Sequence, residues 1–120
     1  MLSISKQTWL AFSNSAQEDF ELRADNYLLR HFSDRMKDLP ADQRRILIRH
    51  YVGRAKQYEL TGEQAVICFA HICLLIGDDF ESIDRWDWVP RMLSDDKYDQ
   101  NFRAKLALQC VADLMAAEIK

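Results

Sequence analysis

Apolar residues recur along this chain at steps of three and four, the spacing that places side chains on one face of an α-helix. In the first segment Trp9, Phe12, Ala16, Phe20, Ala24, Tyr27 and His31 form one such stripe. The pattern predicts a helix from about Lys6 to His31, with Ser5 as its N-cap. Glu18, Glu21, Arg23 and Asp25 lie opposite and are expected in water. A second helix opens at Leu39-Pro40, because proline is favoured in the first helical turn. Ile46, Ile48, Tyr51, Val52, Ala55 and Tyr58 supply its apolar side. Arg44, Arg45, Arg49, Arg54 and Lys56 supply a basic side, which is either a docking surface or simply a solvated face.

Thr61-Gly-Glu-Gln64 has the form of a capping box, with Thr61 as cap and Gln64 three residues on. The run from Ala65 to Ile76 contains one strongly polar residue, His71. A helix apolar nearly all round is expected at the buried centre of a small domain. Gly77 is the expected stop. The stretch from Asp78 to Asp99 breaks the periodicity and reads as a loop with one short helix near Trp88 to Leu93. A final helix starts near Tyr98 and runs almost to Lys120, with Phe102, Leu106, Cys110, Leu114 and Ala117 as its expected inner stripe. The fold class that follows is all-α: a compact bundle of four main helices plus one short helix, in a single domain over 1–120. The short connections at 33–39 and 59–61 favour antiparallel neighbours.

Composition agrees with that picture. The chain has 120 residues, 48% apolar and 29% charged, which suits one soluble domain with one core. Only 3 Gly and 2 Pro are present, too few for the many turns of a β-sandwich or barrel. A net charge of −3 offers no global basic field for nucleic acid or anionic lipid. A helix-turn-helix built on the second and third helices would place an almost wholly apolar helix in a DNA groove, so it is rejected. Three cysteines (Cys68, Cys73 and Cys110) make a poor disulfide framework and suit a reducing compartment. The chain begins without a signal-peptide pattern, and no uncharged stretch reaches the ~18 residues of a membrane span. A cytoplasmic location is therefore expected, with neither membrane nor nucleic acid as partner.

Candidate chemistry is sparse. Cys68 and His71 share one helical face, a spacing compatible with a metal or a thiol nucleophile. No further ligand or orienting group completes either arrangement. Asp78-Asp-Phe-Glu-Ser-Ile-Asp84 lacks the alternating ligands, central glycine and terminal glutamate of an EF-hand loop. Walker, GxGxxG and GxSxG motifs are missing. No catalytic residue, cofactor or metal is assigned, and the chain is read as a binding protein rather than an enzyme. The strongest binding feature is the 78–99 segment, whose eight acidic side chains oppose three basic ones for a local charge of −5. Aromatic anchors within a charged rim are typical of protein interfaces. The candidate partner-binding residues are Asp78, Asp79, Glu81, Asp84, Trp86, Asp87 and Trp88. Trp86 and Trp88 have an alternative role, packing the loop onto the helices.

The order of these features resembles a group of small helical proteins encoded beside type VI secretion spike and effector genes in Gram-negative bacteria. The resemblance rests on the aromatic helix from Phe12 to Phe32, on the segment Ile48 to Tyr58, and on Leu60-Thr-Gly-Glu-Gln64. It continues through Leu75-Ile-Gly-Asp-Asp-Phe80, a tryptophan-bearing turn and Leu93-Ser-Asp-Asp96. Members usually carry Pro-Trp where this chain has Asp87-Trp88, and Arg-Asp where it has Gln64-Ala65. The resemblance implies an immunity protein that neutralises a cognate toxin, or an adaptor that helps load one. It implies a cognate effector protein as partner and no catalytic residues. A small metal-dependent or thiol enzyme and a homodimer are the other expectations carried forward.

Overall fold

A computed structural model describes the backbone of residues 2–119 and the side chains of residues 16–118. The class is all-α, with no strand among the described residues. The helices are α1 (Leu2–His31), α2 (Ser33–Met36), α3 (Ala41–Lys56), α4 (Glu63–Ile76), α5 (Trp88–Leu93) and α6 (Gln100–Ile119). Single 3₁₀ turns at Phe80–Ser82 and Asp84–Trp86 join α4 to α5. The four long helices and the short one at Trp88–Leu93 match the sequence pattern; α2 and the two 3₁₀ turns are additional. None of the described helices is long and apolar enough to cross a membrane. The chain divides into two compact units, 1–49 and 50–120, with the boundary inside α3.

In the first unit α2 folds against α1, and Ala24, Leu28, Met36 and Ile48 are buried. Ser5, Trp9 and Phe12, expected as cap and first apolar positions, lie outside the described side chains. Ala16 and His31 are exposed, and Leu28 takes the buried place further along the same stripe. Glu21 was expected in water, yet it is 2% exposed. Its carboxylate accepts from Arg49 Nε (2.7 Å) and Nη2 (3.2 Å) and from Gln17 Nε2 (3.0 Å). Those partners are why it can be buried, since a paired and fully hydrogen-bonded charge avoids the penalty of a lone one. The Arg49 hydrogen bond outweighs burial and holds the Glu21 carboxyl below its usual range. Arg44 forms a second fork, donating from Nε (2.6 Å) and Nη2 (3.1 Å) to Asp25 and from Nη1 to Leu39 O (2.7 Å). Ile46, expected on the apolar side of α3, is exposed instead.

In the second unit α4 and α6 share the most extensive packing. Seven of the 14 residues of α4 are buried, as its apolar run predicts. The opposing face of α6 is Ala104, Ala107 and Val111, all at 0% exposure. The expected inner stripe was wrong: Phe102 is 48% exposed, Leu106 38% and Leu114 46%. Alanines let two helix axes approach closely, so the small residues, not the large ones, occupy the helix–helix contact. Leu60, Phe69, Ile72, Phe80, Val89 and Leu93 complete this core.

The capping box at Thr61 is not formed. Gly62 occupies the cap position of α4, without a side-chain cap bond. Gln100 Oε1, at the start of α6, instead accepts from the Thr61 N–H (2.7 Å) and the Gly62 N–H (2.8 Å). A partner distant in sequence thus takes the Thr61 N–H that the Gln64 side chain would have served, together with the Gly62 N–H. At the far end Gly77 adopts φ +105°, and its N–H returns to Cys73 O at 2.8 Å. That left-handed φ is one only glycine takes without strain. It turns the chain into the acidic segment.

Candidate functional site

Gly77 delivers Asp78 to the C-terminal half of α3. Asp78 Oδ2 lies 2.7 Å from His50 Nε2, and Oδ1 accepts from Arg54 Nε at 3.2 Å. Arg54 also donates to the Asp78 carbonyl, and to Glu81 from Nη1 (2.6 Å) and Nη2 (2.9 Å). The Tyr58 hydroxyl completes the cluster by donating to Glu81. The Arg54 guanidinium sits 5.5 Å from the ring centres of both Phe69 and Phe80, within cation–π range. Burial pushes the Asp78 and Glu81 carboxyls up, but the cations and hydrogen bonds around them prevail and hold both below their usual range. For Tyr58, burial and then Glu81 raise the phenol well above its ordinary value. The basic side of α3 and the start of the acidic segment, read from sequence as two alternative contact surfaces, thus engage each other at Arg54.

The other candidates separate. Asp79 is exposed, and its carbonyl accepts from the Ser82 N–H and hydroxyl, both at 2.9 Å. Asp84 opens the second 3₁₀ turn and is exposed. Trp86 is 5% exposed and packs the loop, with the Arg85 guanidinium 4.6 Å from its ring centre. Arg85 is itself held by Glu118. Asp87 is exposed and lies 3.7 Å from Arg91, one turn on along α5. Trp88 is half-buried, its ring 6.1 Å from that of Trp86.

Trp88 opens a groove of about 380 Å³. Met92, Tyr98 and Leu106 share its wall, and Arg91, Asp95 and Arg103 supply its polar groups. Phe102 extends the apolar surface, its ring centre 5.1 Å from that of Tyr98. Tyr98 and Phe102 are each about half exposed. Asp99 sets the start of α6 by accepting from the Asn101 N–H at 2.8 Å. Arg103, 8% exposed, ties three segments together. It donates to Leu93 O (2.6 Å), Tyr98 O (3.0 Å), Tyr58 O (3.0 Å) and Glu59 O (3.3 Å). Its donors are therefore committed to backbone carbonyls. Sequence reasoning missed this groove because it assigned Phe102 and Leu106 to the core; the signal available was Tyr98, Phe102 and Leu106 at steps of four beside the Trp88 helix.

Cys68 is a free, half-buried thiol. Burial raises the Cys68 thiol, against a smaller opposite effect of Lys105, and so disfavours the thiolate that nucleophilic attack requires. Burial pushes Cys73 up to about 12. Among the described residues no three His, Cys, Asp or Glu side chains converge as a metal cluster, and no buried side-chain nitrogen or oxygen lacks a hydrogen-bond partner. Neither a family model, nor a curated protein, nor a solved structure matches the chain.

Proposed function

We propose that this chain works by binding another protein, and that its contact surface is the face of Trp88, Met92, Tyr98, Phe102 and Leu106. The supporting observation is the exposure of two large aromatic side chains and a leucine around an apolar groove. Large exposed apolar patches rimmed by polar residues mark interaction sites, and aromatic residues are the usual anchors. The exposed acids Asp79, Asp84 and Asp87 belong to the proposed rim. Asp78 and Glu81 are engaged by His50, Arg54 and Tyr58 and Trp86 is buried, so these three are left out of the proposed contact.

The resemblance to proteins encoded beside type VI secretion genes supplies the partner class: a cognate effector, neutralised in the cytoplasm by this chain as an immunity protein. The test is protection. Cells expressing the toxin from the neighbouring gene, without any secretion apparatus, survive when this chain is co-expressed and die when it is not. Death in both cases, with export of the effector lost on deletion, assigns the loading-adaptor role instead. Survival that depends on neither refutes the accessory role.

A further inference from the structure

We infer that the turn from Tyr58 to Gly62 is a relay, which positions the walls of the groove between α5 and α6 according to whether the Arg54–Glu81–Tyr58 cluster is closed. The relay needs no bound partner, so it stands apart from the protein-binding reading. The turn is held in a conformation that its own residues do not favour. Glu59 has φ +60°, a left-handed backbone that a residue with a Cβ adopts only where its surroundings impose it. Leu60 is fully buried, and its N–H reaches back to Ala55 O at 3.0 Å, wrapping the end of α3. Such a turn persists while its neighbours fix it, and two sets of neighbours do so from different directions.

Toward the acidic segment, the Tyr58 hydroxyl donates to Glu81, whose carboxylate also accepts from both Nη atoms of Arg54. The Tyr58 ring centre lies 5.7 Å from that of Phe69 and 6.5 Å from that of Phe80, so ring and hydroxyl fix the residue together. Toward the groove, the carbonyls of Tyr58 and Glu59 accept from Arg103 Nη2 at 3.0 and 3.3 Å. The same guanidinium holds Leu93 O at the end of α5 and Tyr98 O before α6. Those are the supports of the groove wall, which runs from Trp88 and Met92 to Tyr98 and Leu106. Gln100 adds a second tie by accepting from the Thr61 and Gly62 N–H groups. A planar, rigid guanidinium cannot follow a displaced Tyr58 carbonyl without changing its geometry to Leu93 and Tyr98. Opening the link between Glu81 and Tyr58 is therefore felt at both walls, along one contiguous hydrogen-bonded path.

The experiment uses the full chain without a ligand. The NMR signals of the Trp88 indole and of the Leu93 and Tyr98 amides are compared at neutral pH in four proteins: wild type, Tyr58→Phe, Glu81→Gln and Asp79→Asn. Asp79 is an exposed carboxylate outside the cluster. Tyr58→Phe and Glu81→Gln are expected to displace all three signals, and Asp79→Asn to leave them at their wild-type positions. A urea cycle then pairs Glu81→Gln with Arg103→Lys. The unfolding constant of the double variant is expected to differ at least about threefold from the product of the single effects, because cutting either link already frees the turn. With Tyr58→Phe as background, that coupling is expected to vanish. Gln100→Ala takes the place of Arg103→Lys if circular dichroism shows the latter unfolded.

Independent effects in the cycle overturn the relay. So does coupling that survives Tyr58→Phe, because the path then runs through the two 3₁₀ turns that also join Glu81 to Trp88. Groove signals that stay in place in Tyr58→Phe while its urea midpoint falls overturn it as well, and leave the hydroxyl a purely structural role. None of these outcomes bears on the protection test, which reads the protein-binding role separately.

Discussion

Arg103 is the residue whose removal tests the packing argument most directly. The residue is 8% exposed, and its guanidinium donates to the carbonyls of Tyr58, Glu59, Leu93 and Tyr98 rather than to a carboxylate. Those carbonyls belong to the turn after α3, the end of α5 and the approach to α6, so one side chain holds three chain reversals. Hydrogen bonds to a charged group contribute roughly 1.5–3 kcal/mol each, and they are not additive when they share one donor group. Desolvation of the guanidinium offsets part of the sum, and water reaches some of the freed carbonyls. Arg103→Met should therefore cost about 3 kcal/mol, closer to a single strong bond plus the stranded carbonyls than to four bonds. With a urea dependence of about 1–3 kcal/mol per molar, the unfolding midpoint should fall by roughly 1–3 M. Arg103→Lys should recover part of the loss, because one ammonium cannot span four carbonyls. Urea titration followed by circular dichroism checks both variants. An Arg103→Met midpoint within experimental error of the wild type would refute the reasoning and imply that these turns hold without the side chain.

The Arg54 cluster predicts a pH dependence. Asp78 and Glu81 have depressed folded-state pKa values, so their contribution is complete above the ordinary carboxylate range and lost as pH falls through the folded values. The stability difference between wild type and Arg54→Met should be on the order of 1–2 kcal/mol at pH 7, limited by solvent at half-exposed Asp78, and should shrink below about pH 4; a difference that persists unchanged in acid contradicts the ion-pair account. Glu59 adopts φ +60° at the end of α3, so Glu59→Gly should raise stability by about 0.5–1 kcal/mol, read as a higher melting temperature. Ala107 is fully buried on the α4-facing side of α6, so Ala107→Leu should cost about 1–3 kcal/mol by overpacking, whereas Phe102→Ala, at an exposed site, should change stability by less than about 1 kcal/mol; the reverse order in denaturant would restore the discarded stripe.

Much of this protein was determined by the sequence alone, and the reason is local. Helix periodicity, the apolar run of α4, the left-handed Gly77 and the short Trp88–Leu93 helix depend on residues within a few positions of one another. Their interactions are the same whatever surrounds them, so they could be read in order along the chain.

Only tertiary structure decided the rest, because each outcome is a competition between local and distant partners. Thr61 and Gln64 had the composition of a capping box, but Gln100 took the Thr61 N–H from 39 residues away and the Gly62 N–H beside it. Glu21 had the pattern of a wet residue until Arg49 made its burial affordable. The large side chains of α6 had the stronger hydrophobic signal, yet close helix packing selected Ala104 and Ala107 and left Phe102 and Leu106 on the surface. The acidic segment read as one continuous field, and folding divided it into the part that Arg54 and Tyr58 engage and the part that stays open beside Trp88. Charge and hydrophobicity are properties of residues, whereas availability for a partner is a property of what the fold has already paired.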